Sequence, residues 1–419
     1  MTNLSINRNS LNFFCFFLFG CWFFTAGIFQ IPGVDFEVFD AVLIKRSFTA
    51  LTVFLMLSLI NWRASKIRMG LYFLTAWIII QIINFVYFGS LEIVFLRCVQ
   101  AISVFSIVFF FGQNFNAFRH SVRRLDSIFL ISALFFWMIV ISYPFSTAVQ
   151  MNLVNGFGGN RVNFSIWASQ LVVFFAIMWV TGRLKFFQRF SNLILTLYVF
   201  VFPILMSQIL SGGRLGVLVS FVSLAFVFYI RYRLTTKFLG ALLTLIFVLS
   251  LGYFAESSYK LVYSVTSVNN SMLRGFSSSN NGNLFDFFNT ISSQRVYLFI
   301  EGLKQLKFET LIFGNGIGNF TIVGKFGSHL DVHNVFLKTL GEVGVFGFIV
   351  VSFVVTSPVL MLNKKLDQSF IIFGLAVWLL PAMCQPEFYY TQIGSSLCFW
   401  VVFAAAYSGN LIPRPVVSK

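Results

Sequence analysis

Apolar runs of about twenty residues recur along almost the whole chain, and this feature limits the possible fold more than any other. The hydrocarbon core of a bilayer is about 30 Å thick, and a helix of roughly 20 apolar residues crosses it. Hydrophobic residues make up 58% of the 419 residues and charged residues only 10%. A chain of this composition cannot bury its apolar surface in one water-soluble core. The sequence therefore predicts an all-α integral membrane protein.

The apolar pattern predicts about 12 membrane-spanning helices. They are expected at 11–31, 47–61, 70–88, 91–112, 127–145, 164–181, 191–210, 214–230, 238–255, 338–362, 369–387 and 391–410. Residues 1–255 would hold nine spans and residues 338–419 three spans with a tail, with a large loop at 256–337 between them. The Phe-rich tracts 13–19 and 109–111 are interpreted as lipid-facing bulk.

Basic residues are distributed unevenly between the two sides of these helices. The chain has 29 Lys and Arg against 13 Asp and Glu, a net charge of +16. Many of the basic residues lie at the termini and in alternate connectors, namely Arg8, Arg63, Lys66, Arg68, Arg119, Arg123, Arg124, Arg183, Lys185, Arg189, Arg231, Arg233, Lys237, Lys364, Lys365, Arg414 and Lys419. Because basic loops stay in the cytoplasm, both termini are predicted to be cytoplasmic and the large loop to lie on the opposite side. Topology and attraction to anionic lipids explain the surplus, so no nucleic-acid partner is expected.

The large loop contains segments of different character. Residues 257–283 are rich in Ser and Asn, which predicts a flexible excursion. The segment Ser292 to Lys307 follows, and it has Val296, Phe299, Leu303 and Leu306 at helical spacing. This spacing predicts an amphipathic helix with those four residues on its apolar face. The glycine-rich turn 314–318 comes next, and it is not a dinucleotide fingerprint because no strand of a βαβ unit precedes it.

His333 lies at the end of the large loop, just before a predicted span. It is followed by Asn334, nine residues and Gly344-x-x-Gly347. Asp331 or Asn334 is positioned to cap the helix, and the glycines allow close packing against a neighbour. An imidazole at the mouth of such a helix can take a proton from a sugar hydroxyl at neutral pH. The alternative is an interfacial histidine without a chemical role.

Three arginines are predicted on the side of the large loop, against the bias of the other basic residues. Arg214 ends the tight turn 211–214 between two spans, Arg161 ends a glycine-rich connector, and Arg295 lies in the amphipathic segment. Guanidinium groups suit diphosphate oxygens because they form bidentate, charge-assisted hydrogen bonds. The alternative for each arginine is an interface anchor or a structural ion pair, for example between Arg295 and Glu301.

These motifs resemble those of the bacterial O-antigen ligase and polymerase superfamily. The pattern of His333 and Asn334, nine residues and Gly-x-x-Gly is similar to the family signature, and Arg214 in Ser-Gly-Gly-Arg is similar to the family arginine at the outer end of a span. The segments 293–302 and 314–316 resemble the stretch that precedes the family histidine. The motif-level resemblance covers residues 205–350, and the rest of the chain agrees only in topology.

The resemblance implies a GT-C-like glycosyltransferase of the bacterial inner membrane, whose active face and large loop lie in the periplasm. It implies a glycan donor linked to undecaprenyl diphosphate and an acceptor sugar hydroxyl. His333 would be the general base, and Arg214, Arg295 and Arg161 would bind the diphosphate. Supporting roles fall to Asn334, Glu301, Gly344 and Gly347. Other expected partners are membrane lipids and polysaccharide-assembly proteins.

No metal ion or other cofactor is expected, because arginines would stabilise the leaving group. The sequence has no Asp-x-Asp pair. His329 and His333 would form a metal pair only on a helix, and the glycine-rich stretch before them disfavours a helix.

Two activities within the superfamily share this chemistry. A polymerase passes the glycan to another carrier-linked unit, and a ligase passes it to the lipid A-core. The polymerase is favoured because nothing in the sequence marks a core acceptor. A polysaccharide exporter or flippase is the alternative of a different class. The sparse interior charges (Glu92 and Arg97 in the fourth span) and the lack of a repeat at a six-span offset disfavour it.

Overall fold

The computed structural model describes residues 8–27, 38–88, 91–121, 126–146, 149, 161–180, 197–211, 213–232, 239, 240, 243, 246, 295–316, 318–323, 329–361 and 393–407. Its elements are α1 (Arg8–Gly27), α2 (Val38–Leu59), α3 (Ser65–Phe88), α4 (Leu91–Ser121), α5 (Asp126–Ser142), α6 (Arg161–Val180), α7 (Phe202–Leu210), α8 (Arg214–Tyr232), α9 (Arg295–Gln305), α10 (Phe308–Leu311), β1 (Thr321–Val323), β2 (His329–Asp331), α11 (Val335–Met361) and α12 (Ile393–Tyr407). A π-helical turn, Leu197–Val201, leads into α7.

The described helices overlap the predicted spans that they cover, although α2 begins nine residues before its predicted span and α4 ends nine residues after its own. The predicted spans 238–255 (apart from four isolated residues) and 369–387 lie outside the described residues, as does the polar stretch 257–283. The span predicted to begin at residue 338 begins at Val335 instead, so His333 stands only two residues before the helix. Between α10 and α11 the structure adds a small antiparallel sheet to the predicted all-α fold, with Thr321 opposite Asp331 and Val323 opposite His329.

Several of these helices have the length and hydropathy of membrane spans. Within the described part of the chain, Gly70–Tyr87, Leu91–Phe115 and Val335–Phe353 are long and apolar enough to cross a bilayer. Of the shorter apolar helices, Ser396–Ala405 packs against the second and third of these spans, and Phe164–Trp179 packs in turn against Ser396–Ala405. By helix length and composition, this is an integral membrane protein.

Helix α6 lies at the centre of the helical bundle. Its residues 164–179 are all buried, and it packs against α8, α12 and α7. Polar groups join these helices: the Ser165 hydroxyl donates to the Gly213 carbonyl at 2.7 Å, and the Gln208 side-chain amide donates to the Ser165 carbonyl at 2.9 Å. Such interhelical hydrogen bonds satisfy polar groups that a bilayer would leave without partners.

Helices α1 and α4 pack together through phenylalanines. The ring centroids of Phe16 and Phe110 are 5.3 Å apart, and those of Phe19 and Phe111 are 4.6 Å apart. Phe110 and Phe111 are fully buried, so the interpretation of 109–111 as lipid-facing bulk was wrong. It applies only to one face of α1, where Phe13 and Phe17 are exposed. Hydropathy alone does not separate these faces because lipid and a neighbouring helix are equally apolar.

The predicted amphipathic segment forms α9, and the residues that it buries are not those of the predicted apolar face. Leu298 and Gly302 are buried, whereas Phe299 and Leu303 are 39% and 46% exposed. A Cβ at Gly302 would lie only 3.0 Å from a Leu337 methyl carbon, so α9 approaches the start of α11 closely. Hydrophobic periodicity does not point to this contact, because glycine does not count as an apolar contact residue.

Candidate functional site

His333 is the central residue of a three-residue turn between β2 and α11. The Asn334 amide donates to the Val332 carbonyl at 2.7 Å across this turn. The side-chain oxygen of Asn334 accepts a hydrogen bond from the Leu337 amide at 2.9 Å, which makes Asn334 the N-cap of α11. Of the two predicted capping residues, Asn334 therefore fills the position and Asp331 ends β2. Hydrogen bonds next to His333 thus hold its backbone in place.

A chain of charged side chains begins beside His333 and continues into α11. The Lys338 ammonium lies 2.9 Å from an Asp331 carboxylate oxygen and 3.8 Å from a Glu342 carboxylate oxygen. Lys338 and Glu342 are only 5% and 3% exposed, and Arg97 of α4 is also buried within electrostatic range of Glu342. Negative and positive groups alternate along this chain, so each buried charge has an opposite charge near it. A single buried charge without such a neighbour would be costly. Sequence reasoning missed Lys338 and Glu342, although their i,i+4 spacing was a usable signal.

The glycine-rich turn docks its backbone onto α11. The Asn315 amide donates to the Gly341 carbonyl at 2.7 Å, and the Gly316 amide donates to the Glu342 carbonyl at 3.1 Å. The Gly318 amide donates to the Glu342 carboxylate at 3.0 Å. The carboxylate of Glu342 thereby links the glycine-rich turn to Lys338 and so to the turn that carries His333.

A break in α11 makes this docking possible. Gly344 has φ 71° and ψ −170°, so it is not helical, and the carbonyls before it accept hydrogen bonds from outside the helix. A Cβ at Gly314 would overlap the Glu342 carbonyl, and one at Gly344 would overlap the Ile312 carbonyl. The close approach predicted for Gly344 is therefore with the turn at Ile312 and not with another spanning helix. At Gly347 a Cβ would overlap the Val343 side chain of α11 and would lie 3.8 Å from Ile80 of α3.

The environment of His333 favours a neutral imidazole. Burial lowers the pKa of His333 below its usual range, and the charges of Arg295 and Lys338 lower it further, while Asp331 acts in the opposite direction. The Nδ1 atom is buried and has no hydrogen-bond partner in the part of the chain that the structure describes. The neutral form is the one that can accept a proton at neutral pH.

The structure brings one predicted arginine close to His333. Arg295 is the first residue of α9, is half buried, and lies within electrostatic range of the imidazole. The packing of Gly302 against Leu337 holds the two helices together at this point. Glu301 forms an ion pair with Lys304 at 2.7 Å.

The other two predicted arginines stand at the same end of a helix pair. Arg161 begins α6 and Arg214 begins α8. A Cβ at Gly213 or Gly216 would overlap Ser165, so the first turns of the two helices touch. The Gly213 amide donates to the Gln208 carbonyl at 3.1 Å, which closes the tight turn predicted before Arg214.

His329 lies in β2 opposite Val323, so His329 and His333 do not share a helix.

Residues 199–352 match the family model described as O-antigen ligase. The match is consistent with the O-antigen ligase and polymerase superfamily. The predicted resemblance is thus confirmed over a segment that contains Arg214, Arg295 and His333. Arg161 lies outside the matched segment. No curated protein matches the chain significantly.

Proposed function

We propose that this protein is a glycosyltransferase of the bacterial inner membrane. It would move a glycan from undecaprenyl diphosphate to an acceptor sugar hydroxyl on the periplasmic side. The observation that carries the proposal is the environment of His333 within the O-antigen ligase segment. A neutral imidazole, whose buried Nδ1 has no hydrogen-bond partner among the described residues, and an adjacent arginine supply a base together with a cation. Transfer from a diphosphate donor needs both.

In the proposed reaction, the acceptor oxygen attacks the anomeric carbon of the donor glycan. His333 takes the proton of that hydroxyl as the new carbon–oxygen bond forms. The bond between the anomeric carbon and the diphosphate oxygen breaks, and the diphosphate leaves on its lipid. Arg295, Arg214 and Arg161 stabilise the negative charge that develops on the leaving oxygen. In this scheme the arginines take the role that a Lewis-acidic metal ion has in other transferases.

Two of the supporting residues, Asn334 and Gly344, act through the backbone near His333. Asn334 caps α11, and Gly344 lets the glycine-rich turn approach that helix. Gly347 lies near Ile80 of α3, and Glu301 holds Lys304 on the surface of α9. Membrane lipids and other polysaccharide-assembly proteins are the proposed surroundings of the enzyme.

We assign the polymerase activity first and keep the ligase as the second candidate. The two differ only in the acceptor, which is a carrier-linked repeat unit for a polymerase and the lipid A-core for a ligase. The polymerase comes first because no sequence pattern marks a core acceptor. The match to the family model described as O-antigen ligase is compatible with both candidates.

Lipopolysaccharide banding of a deletion strain tests the proposal and separates the two activities. Loss of a polymerase leaves a single repeat unit on the core. Loss of a ligase leaves bare core together with intact carrier-linked polymer. An unchanged banding pattern would contradict both assignments.

Complementation of that strain tests the catalytic base. The wild-type protein should restore the pattern, and His333→Ala should not, although it should insert into the membrane at wild-type levels. His329→Ala is the matched control and should restore the pattern. Normal surface polysaccharide with His333→Ala would rule out His333 as the base.

A further inference from the structure

The segment from α10 to the glycine-rich turn exposes large apolar side chains. Phe308 is 83% exposed, and Ile312 and Phe313 are 45% and 49% exposed. An aqueous loop rarely shows three such residues within six positions, because apolar groups in water are unfavourable. Their exposure indicates that something other than water surrounds this segment.

The same segment lies beside α11 and not above it. Its backbone is hydrogen-bonded to Gly341 and Glu342, and the candidate membrane span of α11 begins at Val335. At 1.5 Å per residue, Glu342 stands roughly 10 Å along the helix from Val335. The contact between Phe313 and Phe346, with ring centroids 6.3 Å apart, lies further along the same span. The segment is therefore level with the first part of a membrane-spanning helix.

The backbone of the segment has its hydrogen bonds inside the protein. The Gly314 amide donates to the Thr310 carbonyl at 2.7 Å, and the amides of Asn315 and Gly316 donate to carbonyls of α11. Non-helical backbone is tolerated at membrane depth only where it is satisfied in this way. The polar backbone thus faces α11, and the three apolar side chains are left on the surface.

Phe313 continues the exposed surface of two candidate spans. Its ring stacks on Tyr87 at the end of α3, with centroids 6.2 Å apart, and contacts Phe346 of α11. Tyr87 and Phe346 are 70% and 58% exposed, and both lie within the candidate spans. The exposed face of a spanning helix contacts lipid, so Phe313 joins a surface that lipid already covers. Lys307 is exposed just before Phe308, where a cation at the polar edge would meet lipid headgroups.

We propose that Phe308, Ile312 and Phe313 insert among the lipid acyl chains of the leaflet nearest His333. The segment 308–318 is then an interfacial element of the membrane domain and not part of an aqueous loop. The β1–β2 hairpin connects this segment to the turn that carries His333. With the segment inserted among the acyl chains, that turn lies close to the level of the lipid headgroups. The lipid contact does not depend on the proposed function.

Site-specific photo-crosslinking in vesicles tests the inference. The photoreactive residue p-benzoylphenylalanine replaces Phe308 or Phe313 in the full chain, which is reconstituted in phosphatidylethanolamine and phosphatidylglycerol. The same residue at Ile79, exposed on α3, gives the level for a lipid-facing position. Lys304 and Asn319, both exposed and polar, are the matched controls on the nearby surface.

After irradiation, mass spectrometry identifies the adducts at each position. Acyl-chain adducts at positions 308 and 313 that approach the yield at 79, and severalfold lower yields at 304 and 319, are the expected result. Adducts at 308 and 313 that join only to protein, or acyl yields no higher than at 304, would overturn the proposal.

Discussion

At the scale of single residues, the surroundings of His333 control whether it can act as a base. Burial and the charges of Arg295 and Lys338 lower its pKa, and Asp331 opposes them. Asp331 and Lys338 also form an ion pair with each other at 2.9 Å. Each member of the pair therefore moves the pKa of His333 in its own direction, and removal of either one should be visible in the pH dependence of the reaction.

Neutralising the two partners should shift the pH profile of transfer in opposite directions. A base must be neutral, so activity falls as the pH drops through the pKa of His333. Lys338→Met removes a positive charge, raises that pKa and should move the acid limb to higher pH. Asp331→Asn removes a negative charge, lowers the pKa and should move the acid limb to lower pH. The measurement is the rate of transfer to an acceptor against pH in reconstituted vesicles, and shifts of the same sign would contradict the electrostatic model.

Arg214→Lys should lose most of the transferase activity although the charge is kept. A guanidinium fork binds two diphosphate oxygens at once, and an ammonium is a point charge. We expect a loss of at least about tenfold, because one charge-assisted hydrogen bond contributes roughly 1.5–3 kcal/mol. The measurement is the banding pattern together with the transfer rate. Lys237→Arg, in a loop predicted to be cytoplasmic, is the control, and near-normal activity of Arg214→Lys would indicate an anchor.

At the scale of elements, α11 is two helical segments joined at Gly344. The break frees the carbonyls of Gly341 and Glu342 for the glycine-rich turn, and the carboxylate of Glu342 holds Gly318. The sequence pattern predicted close packing at Gly344 but not a break, since a glycine inside an apolar run also fits a continuous helix. The positive φ depends on the turn that approaches from outside, which is distant in sequence.

Gly344→Ala should destabilise the protein. An alanine at φ 71° is strained, and its Cβ would overlap the Ile312 carbonyl. We expect a loss of about 1–3 kcal/mol from the backbone strain alone. Thermal unfolding in detergent measures the effect. Gly20→Ala in α1 is the matched control, because nothing lies within 4 Å of its Cβ position, and it should leave Tm unchanged or raise it. Equal Tm values for wild type and Gly344→Ala would contradict the description of the break.

Helix α9 shows where local pattern is insufficient. The helix itself was predicted correctly, and its first residue, Arg295, lies within electrostatic range of His333. The apolar spacing of Phe299 and Leu303 did not show which side meets α11, because that contact is made through Leu298 and Gly302. Which apolar side of a helix meets protein and which meets lipid depends on its neighbours.

At the scale of the whole molecule, the uneven distribution of basic residues predicts the orientation in the membrane. The termini and the basic connectors should be cytoplasmic, and the loop that ends at His333 should be on the other side. Arg161 and Arg214 begin helices whose first turns touch, so both stand at one end of the bundle. The orientation prediction would place that end on the periplasmic side.

Reporter fusions should place residue 283 in the periplasm and residues 365 and 419 in the cytoplasm. Alkaline phosphatase folds only in the periplasm, so it should be active after Asn283 and inactive after Lys365 or Lys419. A green fluorescent protein fused at the same positions is the matched reporter and should give the opposite pattern. Phosphatase activity after Lys365 would contradict the predicted orientation. His333 would then lie on the cytoplasmic side of the membrane.

Composition and local pattern were sufficient for the membrane class, the positions of most described helices, the capped helix after His333 and the resemblance to the O-antigen ligase family. These properties depend on residue type and short spacing, which a single chain displays directly. The surroundings of His333 could be seen only in the folded chain. Helix α9 brings Arg295 within electrostatic range of His333. The glycine-rich turn reaches Glu342 because α11 is broken at Gly344. The aromatic contact between α1 and α4 and the buried face of α9 also required the folded chain. An apolar side chain is equally favourable against lipid and against protein. Contacts between segments that are distant in sequence therefore decide whether each side chain faces lipid or another helix.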